Sequence, residues 1–536
     1  MPQPPPMPDR SAIPTATHLR SRVGRVCIAL QAPSVEAMLR RAEAALNESA
    51  FLEFRLDSLA NPVAGVLPIA AFLAQQRARR GEVAAIATCR RTVAGGNFQG
   101  SLSAELDILT RAAQAGFSLL DLEIESAEQL GPEKLAPLRV RWEADGAALL
   151  LSFHDFHSAA DPEPVFQRIQ RFAPDFVKIV TTAPTLSASL DLLTWLKAHA
   201  DNAQLVAIAM GEPGIVSRVL SLRAGGAFTF AAAPDGSETA PGQMTARTLK
   251  DLYRIEELNQ ATRIYGVAGN PIAHSLSPLM HNTAFRRERL NSVYLPLKTE
   301  KLEDLLHLVH RLPLSGLSVT MPLKVEILPH LANIDPLAAR IGACNTVLLG
   351  EDGKLQGFNT DAAGIVRPLE KRLPLKSARI LVLGAGGASR AAVYALAEKG
   401  AEVHLWSRDP AKTEALAAEA GVQPIARNQI PTIEFDALVN GTPCGMVGHP
   451  HPLPLEHREW QAKLVFELVY NPLDTPLLQQ ARLRGIPVIQ GVEMFVQQGA
   501  RQFELWTGKP APAAEMQRVV LFALQQAQAS RNSGQS

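Results

Sequence analysis

Cysteine is scarce and scattered: Cys27, Cys89, Cys344 and Cys444 are the only four in 536 residues. They show no metal-ligand spacing and lie in or beside apolar runs, so they read as reduced thiols of a cytoplasmic protein. Net charge is almost absent as well, with 53 basic against 52 acidic residues and a formal charge of +1. The two signs are well mixed, without the basic stripe or long charge run that nucleic acid or a membrane surface would need. No nucleic acid, membrane or metal partner is therefore expected. Met1–Arg22 lacks the apolar core of a secretory signal or membrane span. Being Pro-rich it reads as a disordered tail, with an organelle-targeting remnant as the alternative, because it carries Ser, Thr and Arg and one acid, Asp9. Ala527–Ser536 is also expected to be disordered. The chain is rich in apolar residues, 47% of it, over a length well beyond one barrel-sized domain, so further domains are expected.

Eight short apolar, β-branched runs occupy the first half: Val26–Gln31, Phe51–Asp57, Val83–Cys89, Leu119–Glu125, Ala148–Asp155, Phe176–Thr182, Leu205–Gly211 and Ala227–Ala233. They alternate with amphipathic stretches such as Ser34–Asn47 and Ser103–Ala115, a pattern of right-handed βαβ units around a parallel sheet. Eight in roughly 230 residues fit a (β/α)₈ barrel, whose site lies at the carboxyl ends of the strands. Polar residues gather at those ends: Glu53 and Arg55, Arg90, Glu123, His154 and Asp155, and Lys178. Lys178 stands where a buried strand normally offers Val or Ile. An amine there is costly unless chemistry needs it, although a lysine at a strand end can also snorkel to water. An amine attacks a carbonyl only when neutral, and Arg55, Arg90 and Arg218 are expected to supply the cationic field that favours the neutral form.

Glu53-Phe54-Arg55, Ser152-Phe153-His154-Asp155-Phe156, Val177-Lys178-Ile179, Ser217-Arg218 and Thr239-Ala240-Pro241-Gly242-Gln243 stand in order at compatible spacings. Together they resemble the successive motifs of type I 3-dehydroquinate dehydratase over residues 23–258. The resemblance implies that Lys178 forms a Schiff base with the substrate ketone and that His154 is general acid and base. It makes Glu53 the residue that orients His154. Arg55, Arg90 and Arg218 would bind the hydroxyls and carboxylate, with Thr239 and Gln243 in the lid; the family usually has Ser where Thr239 stands.

A helix-like stretch, Thr245–Thr262, leads without a Gly/Ser linker into the second half. That half opens with Gly269-Asn270-Pro271-Ile272-Ala273-His274-Ser275-Leu276-Ser277-Pro278, where two prolines stiffen a turn carrying two hydroxyls. Ser318-Val319-Thr320-Met321-Pro322-Leu323-Lys324, Gly342-Ala343-Cys344-Asn345-Thr346 and Gly357-Phe358-Asn359-Thr360-Asp361 follow. Then a strand, Arg379–Leu383, meets Gly384-Ala385-Gly386-Gly387-Ala388-Ser389-Arg390 and a helix-like run. Strand, Gly-rich turn and helix is the setting in which backbone amides face a pyrophosphate, although Ser389 replaces the third glycine. With Asn440-Gly441-Thr442-Pro443, Tyr470-Asn471-Pro472 and Gly491-Val492-Glu493-Met494 with Gln497-Gln498-Gly499-Ala500, these segments resemble shikimate dehydrogenase over Tyr265–Ala527.

That resemblance implies Lys324 and Asp361 as the catalytic pair, and Ser275, Ser277, Thr320, Asn345, Tyr470 and Gln498 for substrate. It implies NADP, held by Gly384, Ala385, Gly386, Gly387 and Ala388, with Ser407, Arg408 and Lys412 after the second nucleotide-domain strand and with Gly491 and Met494. The family usually has Asn at Ser318 and Ala at Gly441, positions read as outside the chemistry. Asp409 stands among the NADP-selecting residues, where a carboxylate would favour NAD.

The fold expected is α/β throughout: a TIM barrel over 23–258, a substrate-binding domain over 264–370 and 508–527, and a Rossmann-like NADP-binding domain over 374–507. The product of the first half would be the substrate of the second, as in fused dehydratase–dehydrogenase enzymes of aromatic biosynthesis. The small-molecule partners implied are 3-dehydroquinate and 3-dehydroshikimate or shikimate. Two alternatives stay open: a quinate-oxidising second domain, and a sensor that binds these metabolites without turnover.

Overall fold

The computed structural model describes residues 14–350, 352–456 and 458–533. It separates into two compact units, one running to Thr262 and the other holding most of the chain from Arg263 onward.

The first unit is built on eight parallel strands: β1 (Val26–Leu30), β2 (Phe51–Arg55), β3 (Ala84–Thr88), β4 (Leu119–Glu123), β5 (Ala148–His154), β6 (Phe176–Thr182), β7 (Leu205–Met210) and β8 (Thr229–Ala231). Each is paired to its sequence neighbour from β1 to β7, and β8 pairs with β1. Across the remaining seam Ala227 N donates to Leu205 O, 2.7 Å, so the barrel is nearly closed. Alternation along each strand sorts its interior by height. Phe51, Ile86, Leu119, Leu150 and Phe176, early in their strands, share one apolar cluster with Val206, Phe228 and Phe230. Two or four residues later on the same faces stand Glu53, Arg55, Asp121, Glu123, Ser152, His154 and Lys178. The floor is oily and the mouth is charged.

The segment expected to be a tail is helical over Ala16–Arg22, capped by the Thr15 hydroxyl, which accepts from His18 N. Leu19 is fully buried and joins the apolar cluster at the barrel floor, which outweighs the Pro-rich composition of the flanking sequence. Residues 1–13 of that expected tail lie outside the described residues. The other end also differs, since the last helix runs through Ala513–Ser533. Conversely, the long helix expected over Thr245–Thr262 shrinks to a turn at Thr248–Leu252. Arg254 there is left-handed, φ 51°, which ends the helix while letting Ile255 and Leu258 turn inward.

The second unit has two lobes. One holds a mixed sheet of β9 (Arg263–Gly269), β10 (Ser292–Lys298), β11 (Leu314–Val319), β12 (Asn333–Ile334), β13 (Thr346–Leu349) and β14 (Leu355–Phe358), in the order β10-β9-β11-β13-β14-β12. The other has β15 (Arg379–Leu383), β16 (Glu402–Trp406), β17 (Gln423–Pro424), β19 (Ala437–Asn440), β21 (Val465–Glu467) and β22 (Val488–Ile489), with β18 (Glu434–Phe435) and β20 (Gln461–Ala462) as a separate ribbon. Its order is β17-β16-β15-β19-β21-β22, all parallel, so the chain reverses direction across the sheet at β15, the doubly wound arrangement. The helix Gly491–Thr507, assigned from sequence to the nucleotide domain, buries Val492, Val496, Phe503 and Trp506 against Tyr265, Met280 and Phe285 of the first lobe. Helical periodicity tells that a face is apolar but not which sheet it covers.

Truncating Leu19 to Ala should cost about 2–3 kcal/mol of barrel stability, a lost side chain plus the cavity left behind. Chemical denaturation followed by a barrel-specific probe tests this; an unmoved transition would show that the N-terminal helix is no part of the barrel floor.

Candidate active sites

The barrel mouth is a pocket lined by Glu53, Arg55, Arg90, His154, Lys178 and Arg218, with Thr239 and Gln243 at its edge. All the residues proposed from sequence for this half are therefore neighbours. Four buried cations, Arg55, Arg90, Lys178 and Arg218, face four buried carboxylates, Glu53, Asp57, Asp121 and Glu123. The expected cationic field is thus largely compensated. Arg55 is bound bidentately by Asp57, at 2.9 and 2.7 Å. Arg90 pairs with Glu123 through its Nε. Lys178 Nζ donates to Asp121 Oδ2 at 3.0 Å, has Glu53 Oε1 at 3.6 Å, and sits over the Phe230 ring. Ser152 donates to the other oxygen of Asp121.

The orienting carboxylate of His154 is Glu123, not Glu53. His154 Nδ1 lies 3.1 Å from Glu123 Oε2, whereas Glu53 accepts from the Thr88 hydroxyl at 2.8 Å. The reason is strand order. Glu123 ends β4, which pairs directly with β5, while β2 stands three strands from β5. With Nδ1–H held by a carboxylate, Nε2 presents its lone pair on the other side of the ring. Burial, then Arg90 and Lys178, hold the His154 pKa well below its ordinary 6.5, so the ring is neutral and fit to accept a proton.

Arg218 is different. It is 1% exposed, its terminal NH2 donates to Pro241 O at 3.2 Å, and its Nε finds no partner among the described residues. Burial pushes its pKa down to about 10. A buried guanidinium without a carboxylate partner is a place for an anionic group of a ligand. Beside it the lid is closed on itself, Gln243 Oε1 accepting from Thr239 N at 2.7 Å and from its hydroxyl at 3.1 Å.

In the second unit Lys324 Nζ donates to Asp361 Oδ2 at 2.8 Å, and Asn345 Nδ2 donates to Asp361 Oδ1 at 2.8 Å. Lys324 belongs to the short helix Leu323–Glu326, tied down by Cys344 N donating to Lys324 O. Asp361 opens the helix Asp361–Glu370, where a carboxylate is favoured by the helix dipole. The Ser275 hydroxyl accepts from Ser277 N at 3.3 Å. Tyr470 stacks on Phe495, 4.9 Å between centroids, and Gln498 donates to Phe495 O. Thr320 sits in the loop between β11 and Lys324, its N–H donating to Ala268 O.

Gly384–Ala388 follows β15, at the point where strand order reverses. Gly384 has φ 101°, and a Cβ there would fall 2.7 Å from Ser389 Oγ. A Cβ on Gly386 or Gly387 would meet nothing within 4 Å among the described residues, so this turn is open to a ligand's close approach. It starts the helix Gly387–Glu398, which has neither a side-chain cap nor an acid in its first turn, a setting suited to a pyrophosphate. Ser389 and Gly441 explain each other: a Cβ at 441 would lie 2.3 Å from the Ser389 hydroxyl. Gly491 is likewise pressed against backbone, its Cβ direction meeting Val469 O at 2.3 Å, and Met494 O lies against Gly364.

Comparison with known proteins decides what these two sites belong to. Residues 26–260 match the type I 3-dehydroquinase family, 267–347 the shikimate dehydrogenase substrate binding domain and 491–521 the shikimate 5'-dehydrogenase C-terminal domain. The chain is 31% identical over 516 residues to the chloroplastic bifunctional 3-dehydroquinate dehydratase/shikimate dehydrogenase of Arabidopsis thaliana, covering 91% of this chain and 82% of that protein. The chain belongs to this bifunctional dehydratase/dehydrogenase family.

A shikimate dehydrogenase (NADP(+)) of Bacillus cereus is 41% identical over 279 residues, 49% of this chain and 99% of its own length. The crystal structure of shikimate 5-dehydrogenase from Thermus thermophilus, in complex with NADP(H) and shikimate, is 40% identical over 49% of this chain and 100% of its own, with a TM-score of 0.46. Within the family motifs, Asp57 and Asp121 escape a reading of the sequence alone. Asp121 has a signal that could find it, because it lies on the same strand face as Leu119 and Glu123. Among the described residues no helix is long and apolar enough to cross a membrane, and no cluster of His, Cys, Asp and Glu is arranged to hold a metal ion.

Nitrogen-15 NMR of the imidazole should find His154 neutral and protonated at Nδ1 at pH 6.5, with protonation only at clearly lower pH. Since its folded-state pKa lies below that of the unfolded chain, the unfolded state takes up the proton first, and this residue opposes folding as pH falls below 6.5 but not above it. A half-protonated ring at pH 6.5 would contradict the burial and charge argument.

Proposed function

We propose that the barrel dehydrates 3-dehydroquinate to 3-dehydroshikimate and that the second unit reduces this product to shikimate with NADPH. The observation that carries the reading is that one chain of this family holds two lysines, Lys178 and Lys324, each bonded to a carboxylate within its own site.

In the barrel, the substrate carboxylate pairs with Arg218, and its ketone meets Lys178. Asp121 at 3.0 Å and Glu53 at 3.6 Å are placed to take the proton that the ammonium must lose before its nitrogen can attack. Attack and loss of water give an iminium, an electron sink that acidifies the adjacent carbon. His154, neutral and held by Glu123, takes that proton and returns one to the departing hydroxyl. General acid–base catalysis of this kind contributes roughly 10²–10⁴-fold. Hydrolysis of the iminium restores Lys178, so one water leaves overall. Arg55 and Arg90, already paired, are positioned to offer their remaining N–H groups to the substrate hydroxyls.

In the second unit, NADPH supplies the hydride when bound. Gly386, Gly387 and the uncapped helix start would hold its pyrophosphate, with Ala385, Ala388, Ser407, Gly491 and Met494 along its path. Lys324, steadied by Asp361, gives the proton that the new alkoxide needs. Ser275, Ser277, Thr320, Asn345, Tyr470 and Gln498 form the substrate side of this proposal. The domain limits proposed are 23–258 for the dehydratase, 264–370 and 508–527 for the substrate lobe, and 374–507 for the nucleotide lobe, the helix Gly491–Thr507 bridging the last two. Four buried, unpaired thiols support a cytoplasmic location.

Incubating the purified chain with 3-dehydroquinate and NADPH should yield shikimate; no dehydration and no NADPH oxidation would refute the reading. Borohydride added with 3-dehydroquinate should leave a permanent adduct on Lys178, and Lys178→Ala should abolish dehydration while sparing the reductase. An adduct elsewhere would remove Lys178 from its role.

Cofactor choice turns on Asp409. Its carboxylate accepts from Lys412 N at 3.2 Å as the cap of the helix Pro410–Ala420 and has Lys412 Nζ at 3.6 Å. These bonds occupy it at the helix start, which leaves the exposed Arg408 to meet a 2'-phosphate. One charge-assisted contact is worth about ten- to a hundredfold, so kcat/KM should favour NADPH over NADH by that order. Asp409→Thr, which keeps a capping hydroxyl, should raise the preference. A clear NADH preference in the unmodified chain would mean that Asp409 reads the ribose.

A further inference from the structure

Behind the Lys324–Asp361 pair runs a buried chain of hydrogen bonds between residues far apart in the sequence. Asn345 is 3% exposed and its amide cannot flip: Oδ1 accepts from Thr360 N at 2.8 Å, a backbone donor, and from the Thr346 hydroxyl at 2.8 Å. Its Nδ2 is thereby aimed at Asp361. The Thr346 hydroxyl, which also lies 3.0 Å from the Thr360 hydroxyl, accepts from Gln502 Nε2 at 3.0 Å, and the same Nε2 donates to Asn345 O at 3.3 Å. The other end of the Gln502 amide accepts from the Ser318 hydroxyl at 2.9 Å, and Ser318 in turn accepts from the Tyr294 hydroxyl at 2.6 Å. His281, stacked on Tyr294 at 4.6 Å and kept neutral by burial, which pushes its pKa down to about 3, places Nε2 3.3 Å from the same Gln502 oxygen. The Asn345 and Gln502 amides thus each have one orientation, set by the Thr360 N–H and by the Asn345 carbonyl.

We infer that Gln502 and Thr346 are positioning residues of the reductase, fixing the Asn345 amide so that Asp361 holds Lys324 at the reacting oxygen. This rests on the reductase function proposed above. Gln502 lies one helical turn beyond Gln498 on the helix Gly491–Thr507, is 2% exposed, and makes no direct bond to Lys324 or Asp361 among the described residues. Ser318, where the family usually has Asn, is a link in the same chain rather than a neutral change. A buried amide with both ends doubly satisfied contributes chiefly by removing alternative orientations, because any other would strand polar atoms away from water.

The test is steady-state reduction of 3-dehydroshikimate on the full chain, with dehydration of 3-dehydroquinate by the same preparation recording that the protein is intact. Gln502→Leu and Thr346→Val, which keep bulk and lose the bonds, should each lower reductase kcat about 10–100-fold, the size of loss seen when an outer hydrogen-bond partner is removed at metal sites. The KM for NADPH should stay unchanged. Thr346→Ser, which restores the hydroxyl without the methyl group, should recover most of the turnover. Full kcat in Thr346→Val would overturn the inference, as would equal losses in Thr346→Val and Thr346→Ser, which would mark packing rather than hydrogen bonding. If Gln502→Leu lowers solubility, the Thr346 pair decides alone. No reduction by the unmodified chain would instead overturn the reductase function itself.

Discussion

A charge taken out of water must be met by another charge or by directed hydrogen bonds, and both sites are organised around that requirement. In the barrel mouth four cations and four carboxylates are buried together. Removing a single member would leave its partner uncompensated, so the ring is over-determined: Asp121 serves Lys178 and Ser152, and Glu123 serves Arg90 and His154. Arg218 is the exception: among the described residues it bonds to Pro241 O and to no carboxylate.

The barrel makes such a ring possible because parallel strands present all their carboxyl ends on one side. Period-two alternation then divides each inward face into an apolar beginning and a polar end. The Phe51, Leu150, Phe176 and Phe228 floor keeps the charges from sinking, and Lys178 rests on the Phe230 ring. In the reductase the same requirement is met with fewer charges and more dipoles. One ion pair is surrounded by amides and hydroxyls, and the two amides are oriented by backbone groups that have no alternative role.

The motifs carrying Lys178, His154, Lys324, Asp361 and the Gly384–Ala388 turn are readable because each is a local run on one strand end or one loop. Glu53 reads wrongly as the partner of His154 for a reason equally physical. Both are polar residues ending inward-facing strands, and a linear pattern cannot say that β4, not β2, lies beside β5. Asp121 hides as one acid inside Leu119-Leu120-Asp121-Leu122, although its alternation with Glu123 is there to see. The Thr245–Thr262 stretch has helical periodicity, but burying Ile255 and Leu258 requires a left-handed break at Arg254 that periodicity does not register.

The amino-acid sequence by itself determined the α/β class, the number and order of the barrel strands, the glycine-rich turn after β15 and the two lysines, since these follow from periodicities and short motifs whose meaning is local. Tertiary structure alone decided which carboxylate serves which cation, which sheet the helix Gly491–Thr507 covers, and how Gln502 reaches Asn345 across 157 positions. Those are pairings between distant segments. Their energies depend on strand neighbours and amide orientation, and nothing in a single run of residues encodes them.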